Sequence, residues 1–507
     1  MEKLALFEID LSKVKLTIYN IKEGEHFTKC EELVERLDID EDIREDELIK
    51  GPKIREVITM LGMFKKICEA EGVSRYLAVC SACVTNAKNY QTFVDECATA
   101  IGIEFRVMTP EQEINALYTA TINTLDAPRG LIINISSNST KLIHYNRRIV
   151  IESMSLPIGT NNFMGGEADL EKAAVAFKKM LATKAGFLAN VDPEALIVLT
   201  GDSMAGFGML SRKIGKYPLD VNHNYSVDRK SIDDVLKFLG TLDPVKQQKI
   251  KGVSSTSVTS ILAGLHIAKA ITSMAATQSL VLSDHMRSAG LLFHYALPFT
   301  VDRGVTDLLG YSLFSITESV GLKKKNCDQM YDLALTLFKQ LKVMHKLPRG
   351  YARILRSASY LYHIGKKTGG DNWSKQNYNI ILSLPLIGLS HKEIVLTAFV
   401  ASCRKWEDFN LSEWVKYKDI TTDEDLEALR KLANILAIAE ALNIRAQDIV
   451  KDITCDILGD SVILKLITDL DTKAKRIDPN TAMIEIYYAK KYKNEFAKTF
   501  KKNLEIL

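Results

Sequence analysis

Most features that classify a protein at sight are missing from this chain. No run of about eighteen apolar residues occurs, so no membrane-spanning helix is expected. The opening stretch, MEKLALFEIDLSKVK, lacks a basic region followed by a long apolar core. It enters a charged strand pattern directly, and no signal peptide is expected. Net charge is only +3 over 507 residues, which leaves no global field of the kind that marks nucleic-acid-binding or membrane-surface proteins. The 8 cysteines are scattered without disulfide-framework spacing, so reduced thiols in the cytoplasm are expected. Cys80 and Cys83 form a C-x-x-C, but no second pair or suitable histidine follows, and small residues packing a strand end outweigh zinc or redox chemistry there. Low-complexity segments and long linkers are absent too.

One absence bears directly on function. LIINISSNSTKLIHY, residues 131–145, reads as a strand, a tight polar turn and a second strand, an arrangement able to hold a phosphate. Yet the turn has no glycine, and the first strand ends without a carboxylate.

What is present is an ordinary soluble composition, 47% hydrophobic and 25% charged. A chain of 507 residues exceeds one core, and about three or four domains are expected. LALFEIDLSKVKLTIYNI alternates apolar and polar residues on both sides of Ser12 and Lys13, a hairpin of period two. A helix around residues 54–73, a strand in RYLAVCSACV, a helix from about Asn89 to Gly102 and a strand in IEFRVMT follow. PEQEINALYTATINTL then opens a helix with Pro110 in its first turn. From Gly130 the pattern begins again: hairpin, helix, strand (ALIVLTGD), helix. Two α/β units that each begin with a hairpin predict a duplicated architecture with a ligand cleft between the halves. From about Gly310 helical patterns take over. The tail, with SVILKLITDL and TAMIEIYYA, reads as strand again before a lysine-rich helix.

This order of elements, with several motifs, resembles the Ppx/GppA family of exopolyphosphatases and guanosine pentaphosphate phosphatases across essentially the whole chain. The family's first phosphate hairpin, D-x-G-S-N-S, corresponds to Asp10, Leu11, Ser12, Lys13, Val14, Lys15. Its S-G-E-E-E-A-R-L segment, whose third acid is catalytic, corresponds to TPEQEINALY with Glu113 at that position. Its second hairpin, D-x-G-G-G-S-T-E, reads Asn134, Ile135, Ser136, Ser137, Asn138, Ser139, Thr140, Lys141. SLPIG at 155–159 matches S-L-P-L-G, LTGDSMAGFGML stands where a G-A-S-G-T turn belongs, and LSDHMRSAGLL is similar to L-S-D-G-x-R-E-G-L-L.

The resemblance implies duplicated actin/sugar-kinase-like (RNase H-like) α/β domains at 1–127 and 128–305. An α-helical HD-like domain at 306–425 and a small α+β piece at 426–507 would follow. It implies Glu113 as the base that orients the attacking water. Asp10, Ser12, Lys13, Ser136, Ser137, Asn138, Ser139, Thr140, Lys141, Gly201 and Ser203 would hold phosphate, with Mg²⁺ if the protein is active. A homodimer is implied as well.

The departures are as informative. Asn134 stands for the family's aspartate, Lys141 for its glutamate and Val84 for the arginine of A-T-x-x-x-R, and the first hairpin has lost its glycine. Hydrolysis of a terminal phosphoryl group needs backbone donors, a neutralising cation and a base. Losing two negative charges and gaining a positive one near the metal position works against Mg²⁺, while lysine is itself a phosphate partner. Lys141, with Lys13 and Lys15, is therefore read either as a direct anion contact or as a solvent-facing strand residue. In the helical part, H-D-x-G becomes Tyr362, His363, Ile364, Gly365, the H-x-H positions become Lys375 and Asn377, and Cys403 replaces a third histidine, so no metal is expected there.

The leading reading is a divergent member that binds polyphosphate or a phosphorylated guanosine nucleotide, with hydrolysis weak or lost. The alternatives are an active exopolyphosphatase using Glu113, a regulatory or scaffold partner of an active paralogue, and a sugar or acid kinase. Neither a membrane nor a nucleic-acid partner is expected.

Overall fold

The computed structural model describes residues 2–163, 167–242, 250, 258–275, 277, 279–297, 304–369, 372–468 and 482–507. The chain divides into two compact units, Met1–Leu308 and Leu309–Leu507.

The first unit contains two sheets with the same plan. β1 (Glu2–Asp10), β2 (Lys13–Lys22) and β3 (His26–Arg36) form an antiparallel meander, and β4 (Arg75–Cys80) and β5 (Arg106–Val107) extend it beyond β1 in parallel, giving the order β3-β2-β1-β4-β5. β6 (Arg129–Ile135), β7 (Thr140–Asn146) and β8 (Ile149–Leu156) repeat the meander. Beyond β6 lie β9 (Leu196–Thr200) and β11 (Leu280–Ser283), both parallel to it, and the short antiparallel β10 (Ser226–Val227) forms the edge. β1 and β6 are central and covered on both faces, so their sequences are nearly continuous apolar runs. Helices supply the cover. Gly51–Ala70 buries Ile54, Val57, Leu61, Phe64 and Cys68, spaced three and four apart on one stripe. Val258–Met274, apolar nearly all round, is buried in the core of the second sheet.

The second unit is helical, with Lys324–Gln340, Tyr351–Leu361, Trp373–Ser383, His391–Ser402 and Asp423–Leu442 around one core. A reciprocal capping box between Thr422 and Asp425 starts the last of these helices. A three-stranded sheet of β12 (Val450–Leu458), β13 (Ser461–Thr468) and β14 (Asn503–Ile506) follows. Among the described residues no helix is long and apolar enough to cross a membrane.

Several local expectations need correction. Each hairpin carries a third strand, β3 and β8, whose exposed edge lacks the clean alternation that marks a half-buried strand. The strand expected in IEFRVMT is only two residues long. TAMIEIYYA, read as strand, contains the helix Met483–Lys490. Its Glu485 is buried and held by Arg445 through a bidentate pair at 2.7 and 2.6 Å, so tertiary contact overrides the β-prone composition. Val450–Leu458 is a strand that no alternation announced. The alternating polar residues of the first hairpin do not face solvent either: Glu8 and Lys15 are buried.

Candidate active site

The two hairpin turns, the loop after β9 and the starts of two helices enclose a cleft of about 510 Å³ within the first unit. Glu113 reaches it because Thr109 caps the helix Pro110–Ile122 in a box with Gln112, leaving Glu113 one position further into the first turn. The helix Arg287–Ala296 packs against this one with no room to spare. A β-carbon on Gly290 would lie 1.8 Å from the Ala116 carbonyl oxygen. Gly290 is three residues after Arg287, and Ala116 three after Glu113. The close crossing therefore sets Arg287 and Glu113 side by side.

The result is a buried charge network. Arg287 Nη1 donates to Glu113 Oε1 at 2.7 Å, and the Ala82 backbone N–H donates to the same oxygen at 3.1 Å. Lys141 Nζ lies 2.8 Å from Glu113 Oε2 and donates to Ser139 Oγ at 2.8 Å. Glu8 pairs with Lys15 at 2.8 Å and with Arg287 at 3.3 Å, and Asp10 lies 3.8 Å from Arg287. Burial alone would raise the pKa of Glu113, but Arg287 and then Lys141 outweigh it and hold the carboxyl below its ordinary value. Burial likewise opposes the charge on Glu8, yet Lys15 and Arg287 bring it down to about 2. Burial would lower Arg287, but its three carboxylate neighbours keep it raised.

The two halves also touch across the mouth. Ser137 Oγ donates to Ser12 Oγ at 3.1 Å, joining the tips of the two hairpins. Asp40 accepts from the side-chain amides of Asn138 and Asn161, both at 2.9 Å. Lys13 pairs with Asp202 at the start of the helix after β9, and this lysine, outweighing burial, keeps the Asp202 carboxyl below its ordinary value. No residue from Ser136 to Ser139 has a positive φ, so the second turn has a backbone that needs no glycine. The left-handed conformation occurs instead at Gly201, φ 119°, where a β-carbon would lie 2.1 Å from the Ile135 carbonyl oxygen.

Asp10, Ser12, Lys13, Glu113, Ser136, Ser137, Ser139, Lys141, Gly201 and Ser203 all line the cleft. Asn138 and Thr140 turn elsewhere, Asn138 to Asp40 and Thr140 to the Ile158 carbonyl. Lys141 is neither solvent-facing nor available as a ready anion contact, because it is buried and paired. Sequence reading passed over Glu8, Arg36, Asp202 and Arg287. Arg287 was signalled by the match of LSDHMRSAGLL to a family motif, whereas Glu8 and Arg36 look like ordinary strand polar residues. Among the described residues no ion pair holds Arg36, which lines the same cleft. The hydroxyls of Ser81 and Ser203 are buried in the cleft wall without hydrogen-bond partners among the described residues.

A sequence model of the Ppx/GppA phosphatase family matches residues 17–298, more than half the chain. The chain belongs to this family. Among solved structures, a Ppx/GppA family member from Aquifex aeolicus is 23% identical, with 59% of this chain and 98% of that one covered at a TM-score of 0.50. An exopolyphosphatase from Cytophaga hutchinsonii is 13% identical, with 60% and 100% covered at 0.54. At such identities the likeness is one of fold. No curated protein matches the chain.

The divalent cation that an active Ppx/GppA enzyme would imply does not fit the residues present. Glu8, Asp10 and Glu113 already lie against Lys15, Lys141 and Arg287. Asn134 contributes no charge, and Lys141 places an ammonium 2.8 Å from the carboxylate a metal would need. Among the described residues no group of three or more His, Cys, Asp or Glu side chains could hold a metal.

Proposed function

We propose that this Ppx/GppA-family chain binds a phosphate-rich anion, polyphosphate or a phosphorylated guanosine nucleotide, in the cleft of its first unit and hydrolyses it weakly or not at all. The observation that carries this reading is the double engagement of Glu113. One oxygen is held by Arg287 and the Ala82 N–H, the other by Lys141. A general base must offer a lone pair to the proton it removes and have a pKa near the working pH. A carboxylate locked between two cations, with its pKa lowered, offers neither.

Anion binding is supported by the orphan hydroxyl of Ser81, which an oxygen-rich ligand would satisfy, and by Arg36 and Lys13. Lys141 in this reading neutralises Glu113 rather than the bound anion. The same reading divides the first unit into halves at about 127/128, as the repeated sheet plan suggests.

The test is phosphate release from long-chain polyphosphate with and without Mg²⁺, together with binding at increasing salt, for the wild type and Glu113→Gln. Salt-sensitive binding with release at background, indifferent to Mg²⁺, is expected. Mg²⁺-dependent release that disappears in Glu113→Gln would make the protein an active exopolyphosphatase and overturn the proposal. Absence of both binding and release would leave a scaffold.

A further inference from the structure

The second unit holds a basic cluster of its own. Asn377 stands where the family pattern has a histidine, and it is fully buried. Its amide nitrogen donates to the carbonyls of Tyr362 and Ala401, at 2.5 and 2.9 Å, and its oxygen accepts the Gly365 N–H at 2.7 Å. This clamp fixes the chain turn after the helix Tyr351–Leu361 against the end of His391–Ser402. Gly365 belongs to the same design, since a β-carbon there would lie 2.3 Å from the Trp373 carbonyl oxygen.

Three basic side chains converge on the clamped segments. Lys366 Nζ lies 4.8 Å from the centroid of the Trp373 ring and the Arg404 guanidinium carbon 5.2 Å from it. The His363 ring centroid is 5.9 Å from the same indole. Burial and the nearby charges of Lys366 and Arg404 bring His363 down to about 3, so the imidazole is neutral. Its Nε2 is 3.9 Å from Glu440, whose carboxyl is raised by burial even though Arg404 and Lys366 oppose this. Burial also lowers Lys366. One carboxylate thus faces two cations. His363 Nδ1 is buried without a hydrogen-bond partner among the described residues, whereas Arg404 is engaged by the hydroxyls of Tyr362 and Tyr492. The cluster is nevertheless accessible, with the His363 side chain 34% exposed and Lys366 exposed.

Two cations facing one carboxylate in a partly dehydrated setting call for an anion with several acceptor oxygens. We propose that His363, Lys366 and Arg404 form a second oxyanion site, which takes inorganic phosphate or the terminal phosphate of a larger phosphoester or phosphoanhydride. The indole holds the cations in place, Arg404 and Lys366 supply charge, and the N–H of the neutral His363 imidazole adds a donor. The site lies wholly within the second unit and does not depend on whether the cleft binds or cuts anything.

The test is calorimetric titration of the full chain with inorganic phosphate and with tripolyphosphate at low salt, using the wild type, Lys366→Gln, Arg404→Gln and, as a control, the exposed surface variant Lys418→Gln. Nuclear magnetic resonance of the His363 ring is followed in parallel. Phosphate binding read at the His363 ring should weaken at least tenfold in Lys366→Gln and in Arg404→Gln and be retained in Lys418→Gln. Saturating phosphate should shift the His363 resonances and raise its pKa. Lys366 is exposed, so its replacement leaves the fold intact and keeps the test valid if Arg404→Gln unfolds. Displacement of phosphate by tripolyphosphate at this site would mark a chain terminus as the ligand, and failure to displace it would mark free phosphate. Unchanged affinity and stoichiometry in Lys366→Gln, or His363 resonances that ignore saturating phosphate, would overturn the proposal.

Discussion

Replacing Glu113 by glutamine keeps the side chain's shape and removes the charge that Lys141 and Arg287 share. Glu113 is 2% and Lys141 4% exposed. Among the described residues, Glu113 is the carboxylate within ion-pair distance of Lys141, whereas Arg287 keeps Glu8. The loss therefore falls mainly on Lys141, left as a buried ammonium without a counter-charge. Removing one partner of a buried pair costs about 3–5 kcal/mol, and the partial rescue of Arg287 places this case near the lower end. For a unit spanning Met1–Leu308 that corresponds to a fall in melting temperature of about 5 °C. Differential scanning calorimetry at neutral pH reads it directly. The double variant Glu113→Gln, Lys141→Met should regain most of the loss, because it removes both charges and leaves a neutral contact. A Glu113→Gln protein that melts at or above the wild type, while losing measurable phosphate release, would refute this reasoning. It would show a carboxylate kept free for chemistry.

The acid limb of stability should carry the signature of Glu8. Its folded pKa of about 2 lies below its ordinary 4.5, so its contribution is complete above about pH 4.5 and is lost as pH falls toward 2. Melting temperature against pH should drop steeply in that window for the wild type and be flatter for Glu8→Gln, which starts lower at pH 7. Gly290→Ala forces apart the helices that carry Arg287 and Glu113, since the new methyl would sit 1.8 Å from the Ala116 carbonyl oxygen. A destabilisation of roughly 1–3 kcal/mol in denaturant unfolding is expected. Asp40→Ala leaves the amides of Asn138 and Asn161 without their shared acceptor. Amide hydrogen exchange in residues 136–139 should then accelerate while the helix Gly51–Ala70 keeps its protection; equal rates in both proteins would remove Asp40 from the cross-cleft contacts.

Periodicity and turn chemistry alone showed the two hairpins, the repeated α/β pattern and the helical stretch beyond residue 310, because strands buried on both faces and one-stripe helices leave local patterns. The motif order around Asp10, Glu113 and Asn134–Lys141 pointed to the family before any geometry was known. Local pattern could not reveal the edge strands β3 and β8, exposed on one side and irregular in sequence. It also misread Met483–Lys490, where the pairing of the buried Glu485 with Arg445 outweighs β-prone side chains. The electrostatics of the cleft lay further out of reach. Lys141 and Glu113 are 28 residues apart and Arg287 is 174 from Glu113, so nothing in their neighbourhoods says that they pair. That pairing is decided by the crossing of two helices at Gly290 and the register of β6 against β7. Sequence determined which charges this protein carries; the tertiary structure determined which of them neutralise each other, because Coulomb attraction in a buried site depends on distance and dehydration and not on position along the chain.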